Sequence, residues 1–350
     1  MKINLLTNVI ANLIISGASF VFIAQPNYAQ NLEQSNRENY QNQIEEYTEI
    51  IDLSPRNAAA HYDRGTVYSQ MENYEQAIAD YSSAIYIYLN YGDTSISRRA
   101  TEYLPSSNEQ FVRFNPDLEQ VYFDRATTYY SLGDYNSAIA DYSTAIRLNL
   151  GNDQAYYNRG LAFYNAKEYD KAIADYGQVI SLNPNNIRVY NSRAKAYQQI
   201  SQYDQAIADY SQVINVSSKN IEAYQNRANL YMALEQYDKA IADYNQIISL
   251  NPNNLESYYN RANLYSDLKQ YDKAIADYNQ IISLSPQNAK AYYQRGLYYY
   301  YLENQDNAIA DFTIAADLFE KANQINEYQQ VLNELVKLAP PPPAIELTTN

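Results

Sequence analysis

The chain has 350 residues, with 25 basic and 40 acidic side chains and a formal net charge of −15. It has no Cys, no Trp and one His, but 41 Tyr. A Cys/His zinc site, a thiol nucleophile and a disulfide framework are therefore excluded, and so acidic a chain is a poor match for nucleic acid or an anionic membrane surface.

Residues 1–29 read as an address. Lys2 supplies a short positive region, Leu5 to Ala24 carries no charge, and small Ala29 precedes Gln30. This predicts a secretory signal peptide cleaved after Ala29. Asn27, two places before Ala29, replaces the usual small residue, and Asn4, Asn8 and Asn12 dilute the apolar stretch. The alternative is an uncleaved signal-anchor, since some twenty uncharged residues just span about 30 Å of hydrocarbon. No Cys follows, so no lipid anchor is expected. Either reading places the rest of the chain outside the cytoplasmic membrane, in a bacterial periplasm or beyond it.

Residues 30–57 are expected to be a linker and half of a repeating unit, with Tyr40, Tyr47, Ile50 and Pro55 at the half unit's marked places. Complete units follow. Arg125, Arg159, Arg193, Arg227, Arg261 and Arg295 recur with a period of 34, as do Tyr135, Tyr169, Tyr203, Tyr237 and Tyr271. Seven copies occupy 58–91, 119–152, 153–186, 187–220, 221–254, 255–288 and 289–322. One reads DQAYYNRGLAFYNAKEYDKAIADYGQVISLNPNN over residues 153–186. Tyr156, Gly160 and Phe163 share one face of a first predicted helix, and Tyr169, Ala172 and Tyr176 one face of a second. Gly160 and Ala172 permit close approach, and Asn183-Pro184-Asn185-Asn186 ends the second helix. A lone pair of such helices cannot bury its apolar faces, so neighbours must stack.

This period and pattern resemble the tetratricopeptide repeat (TPR), a helix–turn–helix unit. The resemblance covers most of the chain, from the half unit through the seventh copy. It implies an all-α, right-handed superhelical solenoid with a C-terminal capping helix. One departure recurs. Arg64, Arg125, Arg159, Arg193, Arg227, Arg261 and Arg295 stand where the family usually has Leu. Asp80, Asp141, Asp175, Asp209, Asp243, Asp277 and Asp311 follow them at one fixed offset. An ion pair between the two helices of each unit explains this better than an anion-binding ladder, because binding residues vary along a surface. Losing one partner would cost about 3–5 kcal/mol if the pair is buried and about 0–1 kcal/mol if it is exposed.

Residues 92–118 interrupt the array. They are either a decayed copy, the preferred reading, or a functional loop made locally basic by Arg98, Arg99 and Arg113. Residues 323–339 should form the polar-faced cap, with Tyr328, Val331, Leu332 and Leu335 inward and Glu327, Glu334 and Lys337 outward. Residues 340–350 are expected to be a proline-rich disordered tail.

The resemblance further implies that the first helices line a concave groove. On that basis the groove residues are Tyr157, Asn158, Tyr164, Asn226, Asn229, Tyr259, Asn260, Asn263 and Tyr293. Tyr157, Tyr259 and Tyr293 would act as flat anchors, and the asparagines as clamps on an extended peptide backbone. His61 is read as an end-of-array packing residue, and no nucleophile, base and orienter converge. The expectation is an exported, non-catalytic adaptor without metal or cofactor, binding a protein or extended peptide. An envelope glycan-binding protein and a self-assembling homo-oligomer are the alternatives.

Overall fold

The computed structural model of the protein describes residues 26–92 and 116–338. The leader up to residue 25, positions 93–115 of the insertion and the tail from 339 lie outside the described residues. In chain order the helices are α1 (Pro26–Leu53), α2 (Ala58–Gln70), α3 (Tyr74–Tyr91), α4 (Pro116–Ser131), α5 (Tyr135–Leu148), α6 (Asp153–Asn165), α7 (Tyr169–Leu182), α8 (Ile187–Gln199), α9 (Tyr203–Val216), α10 (Ile221–Ala233), α11 (Tyr237–Leu250), α12 (Leu255–Asp267), α13 (Tyr271–Leu284), α14 (Ala289–Tyr301), α15 (Gln305–Lys321) and α16 (Ile325–Leu338). No strand occurs among the described residues, so the all-α class holds. The chain divides into two compact units at Ala162, within α6.

The local chemistry repeats as faithfully as the sequence. First helices start on an asparagine cap: Asn57, Asn220, Asn254 and Asn288 each accept the amide N–H three residues on. In the Asn-Pro-Asn-Asn loop at 251–254 the last residue therefore opens the next helix as well as closing the previous one, whereas Asn186, at the same place, makes no such side-chain bond. The turn inside each pair uses a left-handed residue: Glu72, Lys167, Ser201, Glu235, Lys269 and Glu303 have φ between 57° and 62° or, at Lys269, 55°. Gly133 holds the equivalent place at φ 81°. The next amide closes the turn onto the first helix, as Gln236 N–H does onto Tyr231 O at 2.8 Å.

Between paired helices, Ala126, Ala194, Ala228 and Ala262 are fully buried and let the backbones approach. The second-helix tyrosines Tyr142, Tyr210, Tyr244 and Tyr278 fill the space beside them, each at most 1 % exposed. At Gly65 and Gly296 the fit is tighter. A Cβ on Gly296 would lie 2.8 Å from Phe312 ring carbons.

Six of the expected arginine–aspartate pairs are seen in full. Nε and Nη2 of Arg64, Arg125, Arg193, Arg227 and Arg295 donate to both carboxylate oxygens of their aspartates at 2.6–2.9 Å. Arg261 grips Asp277 in the same way. Asp80, Asp141, Asp209, Asp243, Asp277 and Asp311 are all 3–7 % exposed. Of the remaining pair, Arg159 belongs to the first unit and Asp175 to the second. The guanidinium planes also lie near two tyrosines of their own helix, as Arg227 does at 5.7 Å from Tyr224 and 5.8 Å from Tyr231.

The third guanidinium nitrogen does something the sequence reading missed. Nη1 reaches back to the preceding unit: Arg64 to Thr48 (2.9 Å), Arg125 to Ser82 (2.8 Å), Arg159 to Ser143 (3.0 Å), Arg227 to Ser211 (2.9 Å), Arg261 to Asn245 (2.5 Å) and Arg295 to Asn279 (2.6 Å). Arg64, Arg125, Arg227, Arg261 and Arg295 thus each join their own two helices and tie them to the repeat before. Arg193 is the exception, because Gly177 occupies the equivalent place with no side chain to accept.

The two ends differ from the middle. α1 begins at Pro26, well ahead of Tyr40, so the stretch expected as a linker is helical and the expected cleavage position falls within α1. α15 serves two neighbours: Asp311 pairs with Arg295, while Ala315, Ala316 and Phe319 form a buried cluster with Val331 of α16. The α15–α16 turn repeats the within-pair geometry, with left-handed Asn323 and Gln324 N–H on Phe319 O at 2.9 Å. The cap is less polar outward than expected, with Ile325 59 % and Val336 73 % exposed.

Candidate interaction surface

In the second unit the presumed groove-facing places of α10, α12 and α14 carry no charge. They are Gln225, Asn226, Asn229 and Met232, then Tyr259, Asn260, Asn263 and Ser266, then Tyr293, Gln294, Leu297 and Tyr300. In a chain of net charge −15 this is a neutral stripe. Asn229 and Asn263 are exposed, and Asn226 and Asn260 half-buried. Gln225 Nε2 and Tyr244 Oη both donate to Asn229 Oδ1, at 3.1 and 3.2 Å. That fixes the carboxamide and leaves its Nδ2 hydrogens as the group on offer. On α8, exposed Lys195 is balanced by Glu222, 3.4 Å away.

The tyrosines expected as flat anchors are placed otherwise. Tyr157 is 6 % exposed. Tyr259 sets its ring edge-on to Tyr278 at 5.8 Å and accepts from Asn288 Nδ2 at 2.5 Å; burial raises its phenol pKa. Tyr293 lies 5.8 Å from Phe312 in the cluster that holds Tyr328 and Val331 of α16. Burial raises its pKa too, with Glu334 adding to the effect. The rings of Tyr259 and Tyr293 thus pack against the second helix of their own repeat and stay half-buried. Tyr164 is half-buried, edge-on to Tyr169 at 5.4 Å. The phenol that does stand out is Tyr300, 39 % exposed.

Within the first unit the same places make contacts inside a repeat and, at Tyr62, a link from one repeat to the next. Tyr62 Oη donates to Asp124 at 2.7 Å, and burial pushes the Asp124 carboxyl up despite that bond and one from Gln120. Phe123 packs edge-on to Tyr142 at 5.5 Å. Asn158 is half-buried and accepts from Gln154 at 2.9 Å. His61 is a packing residue, with Nδ1 3.5 Å from Asp80 and Nε2 3.3 Å from the Pro55 carbonyl. Among the described residues no group of three His, Asp or Glu is placed to hold a metal ion, and no helix is long and apolar enough to cross a membrane.

Family models described as tetratricopeptide repeat match residues 58–91, 123–187, 176–208, 221–254 and 255–288, and one described as TPR repeat matches 199–235. Together they cover more than half of the chain. The chain belongs to the tetratricopeptide repeat family. Three of the matched segments, 58–91, 221–254 and 255–288, begin and end where the sequence period places whole copies. Among solved structures, the C-terminal part of a TPR repeat-containing protein from Cytophaga hutchinsonii is similar at 19 % identity, over 76 % of this chain and 97 % of that one, with a TM-score of 0.57. The MamA protein is similar at 26 % identity over 49 % of this chain and 94 % of its own, TM-score 0.43. YrrB, described as a TPR protein with an unusual peptide-binding site, is similar at 21 % identity over 51 % and 91 %, TM-score 0.42. No protein among the curated sequences matches. TPR arrays are protein-interaction scaffolds, and that is the coarse function of this chain.

Proposed function

We propose that this TPR protein is an exported, non-catalytic adaptor that holds an extended segment of a protein partner against the neutral carboxamide stripe of α10, α12 and α14. The observation that carries the reading is the stripe itself: exposed Asn229 and Asn263 recur at the repeat period on first helices, with half-buried Asn226 and Asn260 beside them. A carboxamide donates and accepts, so it can bond the carbonyl and amide of an extended backbone whatever the partner's side chains are. With no charge on these places, recognition should depend little on salt. The acidic chain, its sequence without Cys and its leader, with Lys2 ahead of an uncharged stretch, support an exported protein that takes neither nucleic acid nor a lipid anchor.

The test is capture of partners from the exported fraction on the chain from Gln30, beside the triple variant Asn229→Ala, Asn260→Ala, Asn263→Ala. A protein retained by the first bait and lost from the second is expected. Equal capture by both, or none, would withdraw the stripe. Retention of the chain on cell-wall polysaccharide would then move the reading to glycan binding, and a concentration-dependent mass in light scattering to self-assembly.

A further inference from the structure

The N-terminal helix poses a problem that the carboxamide stripe does not touch. α1 sits in the register of a second helix: Thr48 accepts from Arg64 Nη1 just as Ser82, one period further on, accepts from Arg125. In the complete unit that follows, Ala77, Tyr81 and Ala84 are at most 2 % exposed, because α2 covers them. Their counterparts in α1 are Gln43, Tyr47 and Ile50, and all three are only half-buried. Glu46 takes the place of Asp80; it is exposed, and among the described residues no arginine pairs with it. Where Met71-Glu72-Asn73 turns the chain between α2 and α3, Arg37-Glu38-Asn39 is helical, and α1 runs on back to Pro26. No first helix folds onto α1 among the described residues.

The charge around this face says what would cover it. From Tyr40 to Leu53, α1 has Glu45, Glu46, Glu49 and Asp52 and no basic residue. Six complete units are seen to answer this carboxylate with an arginine. Residues 3–25 cannot do so, since they carry no charge at all.

We propose that the uncovered face of α1 docks an arginine-bearing amphipathic helix of a partner protein, which completes the N-terminal half unit in trans. The incoming arginine meets Glu46, and small residues lie over Tyr47. Gln43 and Ile50 are larger than the alanines they replace, so the incoming helix must present Gly or Ala opposite them.

The experiment uses the full chain and a labelled peptide of residues 187–201 as the probe. That sequence is an amphipathic first helix with Arg193 at the pairing place, Ala194 beside it, and Arg188 and Lys195 adding positive charge. Saturable binding that weakens with salt is expected in fluorescence anisotropy. Glu46→Arg should weaken it by about ten-fold or more, and a peptide carrying Arg193→Glu should bind Glu46→Arg better than it binds the native chain. Glu46 is exposed, so an unchanged melting temperature checks that the variant is folded. Absence of saturable binding to the native chain, or equal binding to Glu46→Arg, overturns the proposal. So does binding lost in the Asn229, Asn260 and Asn263 variant but kept in Glu46→Arg, which would put the peptide on the stripe. A dimer of the chain abolished by Glu46→Arg would give the face to a second copy and overturn the partner helix.

Discussion

Two neighbouring seams of the second unit differ by one side chain. Between α9 and α10, Arg227 holds Asp243 with two nitrogens and Ser211 of the preceding unit with the third. Between α7 and α8, Arg193 holds Asp209 in the same way, but Gly177 stands where the hydroxyl would be. The bidentate pair survives at both seams, so it is a property of the unit; the third bond is a property of the joint. Cohesion within a unit and between units can therefore be altered separately, although one arginine serves both.

The largest effect should come from breaking the part the seams share. Asp243 is 3 % exposed, so Asp243→Ala strands a guanidinium that is mostly buried, and thermal unfolding should show a loss of about 3–5 kcal/mol. An unchanged melting temperature would mean that the pair adds nothing. Gly296→Ala tests close approach inside a unit, where its methyl would meet Phe312 at 2.8 Å. Overpacking outweighs the gain in helix propensity, and a net loss of about 1–2 kcal/mol is expected. A more stable variant would show that the ring can yield. Gly177→Ser acts on the difference between the seams. The nearest atom to a Cβ there is Arg193 Nη1 at 3.9 Å, so there is room for the hydroxyl, and a gain of about 1 kcal/mol is expected. Ser211→Gly should lose a similar amount, and hydrogen exchange in α8 and α10 would show which joint was affected.

The smallest effect concerns the link between α2 and α4 in the first unit. Burial raises the Asp124 pKa in the folded state. The folded chain then binds more protons than the unfolded one between the two pKa values, so this group's contribution falls as pH rises through that window. Asp124→Asn keeps an oxygen for Tyr62 and removes the buried charge. Denaturant titrations should show a variant at least as stable at neutral pH, whose advantage over the native chain shrinks as pH falls through that window. An advantage that grew on acidification would defeat this account.

Much of this was legible in the chain. The period placed the helix pairs, and the constant offset from arginine to aspartate predicted their pairing, because spacing alone puts them on facing helices. The reach of Nη1 to the preceding unit was missed, although Ser82, Ser143, Ser211, Asn245 and Asn279 all stand two places after the paired aspartate. A pattern read one unit at a time hides a bond between units. The expected anchors Tyr259 and Tyr293 are less open than their places suggested, for a related reason. Tyr259 and Tyr293 lie next to signature aromatics and look exposed on a single helix, but Tyr278 and Phe312 of the facing helix take up their rings. Asn229 and Asn263 stay exposed, Asn229 even while it accepts from Tyr244 of the facing helix.

α15 bears on how such a chain can change over generations. Its first half answers the arginine of its own unit, and its second half, with Ala316 and Phe319, receives α16 through the turn used inside the pairs. The seat of the cap is thus encoded in the last copy, by α15 together with Tyr293 and Leu297 of α14. Duplicating or deleting a whole copy upstream of that pair would leave the seat intact, so copy number is free to drift while the cap stays matched to its last pair.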